Sequence, residues 1–387
     1  MAKKWIGGRV LPIIPLMASA LLASCLVPAA AQDDAYAPRE DWTSYWGGDL
    51  HISVFVFRDL DRDGLYDLGD QPMSGIIIDG SGGGMPIWTS SNAAGFANFT
   101  MSGSDRQDSI RTPGRYRFKV EVPSNWRVTT HNTVQTVTFR ALPGSPADMV
   151  ADPVPSLVGL APDLTISGDV PETPEGDALQ GPHGETLPLP SDGTQTFTLD
   201  ADPGAWQMAG KPALGFEMGT APVQIARQWW DATGSNQPVE TVTFDDLQSE
   251  GVLKVPTGYQ SLGWENFVMT HRKFYPPEGY RNGVVSGEFL AYNGSGHPAA
   301  ITRQGGFDFV GGYFGVSSLE AQGETLRIAG WRHGKQVYSE TLSLSAIGPV
   351  YLAAEFDDVD RLTFSTDHYW QFTADDLQFR VPPEEAR

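Results

Sequence analysis

The sequence predicts an all-β protein assembled from antiparallel β-sandwiches, and three observations predict it. Of 387 residues, 43 are glycine and 29 proline, a density of backbone punctuation that helical bundles do not tolerate. The apolar residues fall in short runs rich in Val, Ile, Phe and Thr, separated by Gly, Pro, Asp and Ser. Hydrophobic residues at 40% and aromatics at 11% supply enough apolar surface for packed cores, which excludes general disorder. The length suggests two or three domains.

Residues 1–31 read as a secretory signal peptide. Lys3, Lys4 and Arg9 precede an apolar stretch from Val10 to Val27, and Ala29-Ala30-Ala31 stands before the polar Gln32. Pro12 and Pro15 interrupt the stretch and disfavour a permanent membrane helix. Leu22-Ala23-Ser24-Cys25 also matches the pattern of a bacterial lipobox, which would make the chain a lipoprotein acylated at Cys25. Acylated cysteines usually precede polar linkers, whereas Leu26, Val27 and alanines follow here, so simple cleavage near Gln32 is the favoured reading. Cys25 is the single cysteine, so the mature chain is expected to lack disulfides and to gain rigidity from core burial or bound metal. No second hydrophobic span follows residue 31, so no transmembrane segment is expected in the mature chain. The expected destination is the medium or cell exterior, with the periplasm as the alternative.

The formal net charge is −21, and no Lys/Arg-rich run offsets it locally. Such a chain repels nucleic-acid phosphates and anionic membrane surfaces, and it favours cations.

Within residues 48–145, strands are expected at His51–Arg58, Gly75–Asp79, Gly95–Met101, Tyr116–Val122 and Val134–Arg140. Tyr116, Phe118, Val120 and Val122 alternate with Arg117, Lys119 and Glu121, so one face of that strand goes to a core. Residues 141–162 contain five prolines and read as a linker or an irregular edge. A small middle β segment over 160–235 is expected to hold strands at Asp163–Gly168, Thr194–Leu199 and Ala205–Met208. Periodicity does not decide between helix and strand for Pro222–Asp231. Residues 239–382 read as a jelly-roll-like sandwich. Thr243-Phe-Asp-Asp-Leu247 near its start is echoed by Ala374-Asp-Asp-Leu-Gln-Phe379 near its end, which suggests that the first and last strands are adjacent.

The motif with the clearest chemistry is Asp59-Leu-Asp61-Arg-Asp63-Gly64-Leu65-Tyr-Asp67-Leu-Gly-Asp70. With Asp59 as position one, Asp59, Asp61, Asp63, Asp67 and Asp70 occupy the side-chain ligand positions of a twelve-residue calcium loop. Gly64 stands at the sharp turn and the Leu65 carbonyl at position seven. Alternate residues turn carboxylates inward, and a distal acid closes the shell. Strand-like segments flank this loop on both sides, so it reads as a structural calcium (Ca2+) turn between strands rather than a sensor's helix pair.

Residues 51–122 carry this loop together with Val54-Phe-Val-Phe-Arg-Asp-Leu-Asp-Arg-Asp-Gly64, Gly69-Asp-Gln-Pro-Met-Ser-Gly-Ile-Ile-Ile-Asp79 and Gly114-Arg-Tyr-Arg-Phe-Lys-Val120. They resemble the SD-repeat B (SdrD B-like, Cna-B-related) domain. The resemblance implies a prealbumin-like β-sandwich, calcium in the acidic loop, and a stalk role in bacterial surface or secreted proteins. Some Cna-B relatives carry a Lys–Asn isopeptide crosslink, but the His51–Arg58 strand contains no lysine.

Weaker signals come from the C-terminal region, which loosely resembles secreted lectin-like jelly rolls. Asp245, Asp246, Asp375 and Asp376 are candidates for a second metal, because hard carboxylate oxygens from two strands suit calcium; turn-capping carboxylates are the equal alternative. Tyr259, Trp264, Tyr280, Trp331 and Trp370 are candidates for stacking on a sugar, although large rings usually fill a sandwich core. The histidines have no zinc spacing, and no G-x-S-x-G elbow or phosphate-cradling loop occurs.

The sequence therefore points to a secreted, calcium-stabilised, non-enzymatic binding or adhesion protein. Its expected partner is an extracellular glycan or surface ligand. A carbohydrate-active enzyme with its cleft on the C-terminal domain and a structural matrix protein are the alternatives.

Overall fold

In the first part of the chain, two sheets face each other across an apolar core. The computed structural model describes residues 49–101, 106–170, 178–189, 196–235, 237–248, 250–275 and 277–382, so the leader, its cleavage site and Cys25 lie outside the described residues. One sheet is centred on the Asp49–Arg58 strand, which pairs antiparallel with Phe96–Met101 and Gln71–Pro72 and parallel with Val158–Pro162. The other runs Met85–Ser90, Ile77–Gly82, Gly114–Val120, Val134–Leu142 and Ser145–Asp152 in spatial order. Tyr116, Phe118 and Val120 point inward and are buried, whereas Arg115, Arg117 and Lys119 are exposed, so the alternation in the sequence is the alternation of the pleat. Phe118 packs at 4.8 Å on Phe99 across this core, and Tyr116 at 5.2 Å on Phe139 of the neighbouring strand.

Of the two readings of residues 141–162, linker or irregular edge, part of the segment is an edge and none of it is a free linker. These residues contribute the edge strand Ser145–Asp152 and a second strand, Val158–Pro162, whose five residues are all buried. A strand held between Asp49–Arg58 on one side and Trp126–Val128 on the other, and covered on both faces, does not alternate. Its apolar run therefore looks like coil in the sequence.

The middle segment contributes to two sheets. Ala178–Gln180, Thr186–Pro188, Gly204–Met208 and Lys211–Met218 form a small antiparallel sheet of their own. Thr165–Asp169 instead pairs with Thr196–Asp200 and with Val223–Ile225, and Val223–Ile225 runs parallel to the C-terminal strand Val350–Thr366. One sheet thus continues from the middle segment into the C-terminal region. The undecided stretch resolves as the strand Val223–Ile225 followed by a 3-10 turn, Arg227–Trp230. That turn buries Trp229 and Trp230 against each other at 5.0 Å, edge to face.

The C-terminal region is built on two long strands, Ala299–Val316 and Val350–Thr366, paired antiparallel with several register shifts. Such bulges bend a strand and let it serve more than one layer. Phe372–Arg380 pairs with Ala299–Val316 and, on its other side, with Glu240–Val242, so the first and last strands of the region are neighbours. Phe267, Phe309, Phe314, Phe364, Phe372 and Phe379 fill the core between the layers. The described helices are single turns, and none is long and apolar enough to cross a membrane.

Candidate metal centre

The loop from Asp59 to Asp70 joins Asp49–Arg58 to Gln71–Pro72, strands that pair antiparallel through Phe57 with Pro72 and Arg58 with Gln71. Its base is anchored before the first acid. Arg58 is buried, donates from Nη2 to the Thr220 carbonyl at 2.8 Å, and lies 5.9 Å from the Trp126 ring centre. Burial pulls its guanidinium down to about 10, still charged at neutral pH. The Asp59 amide donates to the Leu160 carbonyl at 3.0 Å, which ties the loop to the buried parallel strand.

From this base the chain coils around the acids. Asp59 is buried and accepts from the Arg62 amide at 2.6 Å and from the Gly64 amide at 2.9 Å, one on each oxygen. Asp61 accepts from the Asp63 amide at 3.3 Å, and Asp63 accepts from the Leu65 amide at 2.7 Å. Gly64 adopts φ +82°, and a Cβ there would stand 3.2 Å from the Thr129 carbonyl oxygen, so the turn requires glycine. The result is that carboxylate oxygens of Asp59, Asp61 and Asp63 lie within 4.8 Å of one another, the one such acidic group among the described residues.

The structure does not bring Asp67 and Asp70 into that group. Asp70 turns back, accepting from the Leu60 amide at 2.8 Å and the Asp67 amide at 3.3 Å, and so closes the loop on itself. Burial, against these hydrogen bonds and with the charges of Asp59 and Asp67, pushes its carboxyl up to about 6. Asp67 is likewise raised, by desolvation and then by Asp61, Asp63 and Asp59. A centre of convergent, oxygen-only, anionic donors around a glycine turn fits a hard divalent cation. Asp59, Asp61 and Asp63 are the residues placed to hold it.

The second acidic set has a different geometry. Asp375 is buried; its Oδ2 accepts from the amides of Val285 at 2.7 Å and Ser286 at 3.3 Å, and its Oδ1 from the Asp376 amide at 2.8 Å. Burial and then the charge of Asp376 push its carboxyl well above the usual range. Asp376 accepts from the Ser286 hydroxyl at 2.6 Å, Asp245 from the Glu288 amide at 2.8 Å, and Asp246 from the Tyr259 hydroxyl at 2.5 Å. Asp245, Asp375 and Asp376 are thus occupied in clamping residues 285–288.

Of the five candidate stacking rings, Trp264 and Tyr280 have almost no surface in solvent, at 2% and 1% exposed, and belong to cores. Tyr259 and Trp370 are half-buried against the same core as Trp264, and Trp331 is half-buried with its Nε1 donating to Thr363 Oγ1 at 3.1 Å. Glu265 is held by Arg361 in a two-pronged pair at 2.7 and 2.8 Å, which lowers its carboxyl. The sequence reading missed Arg58. An arginine directly preceding an acidic loop was the available signal.

No family model matches the chain, and no curated protein matches it. Solved structures show weak likeness. The N-terminal CBM22-1-CBM22-2 tandem domain from Paenibacillus barcinonensis Xyn10C aligns at 12% identity over 38% of this chain and 48% of that one, with a TM-score of 0.25. The Bacillus anthracis TIE protein aligns at 9% identity over 80% of this chain and 51% of that one, with a TM-score of 0.21. The M60 catalytic domain with the CBM51-1 and CBM51-2 domains from Clostridium perfringens ZmpB gives 9% identity, 80% and 30% coverage, and a TM-score of 0.23. The chain spans about half the length of the first two, and likeness at this level says nothing of what it binds.

Proposed function

We propose that this chain is a secreted, calcium-stabilised, non-enzymatic binding or adhesion protein, with the first sandwich serving as a stalk-like element and a glycan or other extracellular surface as its partner. The observation that carries the reading is the convergence of the Asp59, Asp61 and Asp63 carboxylates in a loop whose base and closing residue are both locked. Like charges about 4 Å apart repel by up to about 4 kcal/mol per pair at an effective dielectric of about 20, and a divalent cation reverses the sign. Because the loop is tied to the Val158–Pro162 strand, an ion there would stiffen the sheet at the heart of the first sandwich.

Thermal unfolding of the full mature chain tests this. Extracellular calcium modules bind weakly, so at calcium about ten times above the dissociation constant the gain is about 1.4 kcal/mol. For a chain of this size that raises the Tm by about 2 °C over the chelated protein. An unchanged Tm counts against the reading.

A further inference from the structure

A polar cleft of about 650 Å³ opens beside the acidic loop. One wall is the end of the first sandwich: Asn125 and Arg127 around the Trp126–Val128 strand, Asp163 just past Val158–Pro162, and Arg62 from the loop itself. The opposite wall is the turn after Thr196–Asp200, with Asp200 and Asp202, and buried Trp206 lies beneath. The two walls are joined by a backbone bond from Ala201 N to Leu164 O at 3.1 Å, and Asp163 N to Asn125 O at 2.7 Å braces the first wall.

Among the described residues, the side chains of Asn125, Arg127, Asp163, Asp200 and Asp202 make no hydrogen bond to another group of the chain. Within that set no hydrogen bond occupies their donors and acceptors, and the charges of Asp163 and Asp202 act on Arg62. Adjacent hydroxyls each donate and accept at once, and planar side chains that alternate guanidinium or amide N–H with carboxylate oxygen match them. The carboxylates outnumber the guanidiniums, Glu185 also lining the cleft, so anionic ligands are disfavoured.

We propose that this cleft is a binding site for a neutral oligosaccharide segment of about two or three sugar rings, a size that suits the volume. The inference deepens the glycan-binding part of the proposed function and rests on it. It also couples the site to the metal loop. The Arg62 amide is held by Asp59 at 2.6 Å in a left-handed conformation, φ +66°, while its guanidinium donates to the Pro162 carbonyl at 2.9 Å. An ion on Asp59, Asp61 and Asp63 would fix the backbone that carries this arginine.

The test is isothermal titration of the full mature chain with neutral gluco-, xylo-, manno- and N-acetylglucosamine trisaccharides, and with a galacturonate trisaccharide as the anionic control. At least one neutral probe is expected to bind in the micromolar to millimolar range and the galacturonate not. Arg127→Ala and Asp202→Asn, both surface changes, should each weaken binding about tenfold with an unchanged Tm. Chelation should weaken it several-fold. Absence of binding by every neutral probe, binding that survives both substitutions, or equal binding of galacturonate would each overturn the cleft. If the substitutions abolish binding but calcium moves neither the Tm nor the affinity, the cleft stands and the metal reading with its coupling falls. If calcium raises the Tm but no neutral probe binds, the reverse holds.

Discussion

Two acidic clusters, alike in composition, hold their carboxylates in opposite arrangements in this fold. In the loop at 59–70, Asp59, Asp61 and Asp63 accept only from amides of their own turn, and their oxygens converge, two of the three side chains reaching solvent. At the C-terminal end, Asp375, Asp376 and Asp245 reach across to residues 285–288, and Asp375 accepts in addition from its neighbour's amide. The difference teaches that an acidic pair in a sequence does not declare a metal. What matters is whether the acids satisfy their own turn, leaving oxygen faces together, or hold down a segment distant in the chain.

The largest expected effect falls on the clamp. Asp375→Ala leaves three part-buried amides without their acceptor and empties a buried position, and the fold should lose about 3 kcal/mol by chemical denaturation, with no dependence on calcium. A calcium-dependent loss would break the comparison by making the second cluster a metal site as well. Next comes Asp61→Asn, an exposed change that should leave the chelated protein as stable as before and remove the calcium-induced rise of about 1.4 kcal/mol. Retention of that rise would dismantle the loop as the metal centre.

The smallest effect concerns an acid that belongs to neither arrangement. Burial, followed by the charges of Asp308 and Glu355, pushes the Asp357 carboxyl up to about 6. Unfolded aspartate titrates near 4, so the folded state holds the proton more tightly. The contribution is fully present below about pH 4 and is lost as pH rises through about 6. The side chain is half-exposed, so the loss should be at most about 1 kcal/mol, measured as the difference between the protein and Asp357→Asn in denaturation from pH 4 to 7. A slope of opposite sign would show that Arg380 and Arg332, not burial, govern this carboxyl.

Much of this architecture was legible where strands face water on one side. Gly114–Val120 could be read because every second residue leaves the core. Val158–Pro162 could not, because it is covered on both faces and its partner strand lies a hundred residues earlier. Trp264, on a strand, and Tyr280, on the single helical turn Gly279–Asn282, had the composition of a sugar platform but are sealed into cores, since a ring's type does not say which way it turns. Likewise the cleft joins Arg62, Arg127 and Asp202, residues that no local pattern connects.

The sequence by itself determined the β character, the exposed alternations and the acidic turn, because each depends on neighbours within a dozen positions: the pleat repeats every two residues, and the loop's amides find their carboxylate acceptors inside the loop itself. Only the tertiary structure decided that the middle segment shares a sheet with Val350–Thr366, that Asp375 is a clamp, and that Arg58 anchors the loop to Thr220. Those outcomes rest on pairing and desolvation between groups tens to hundreds of residues apart, where the energy lies in what each group meets rather than in what it is.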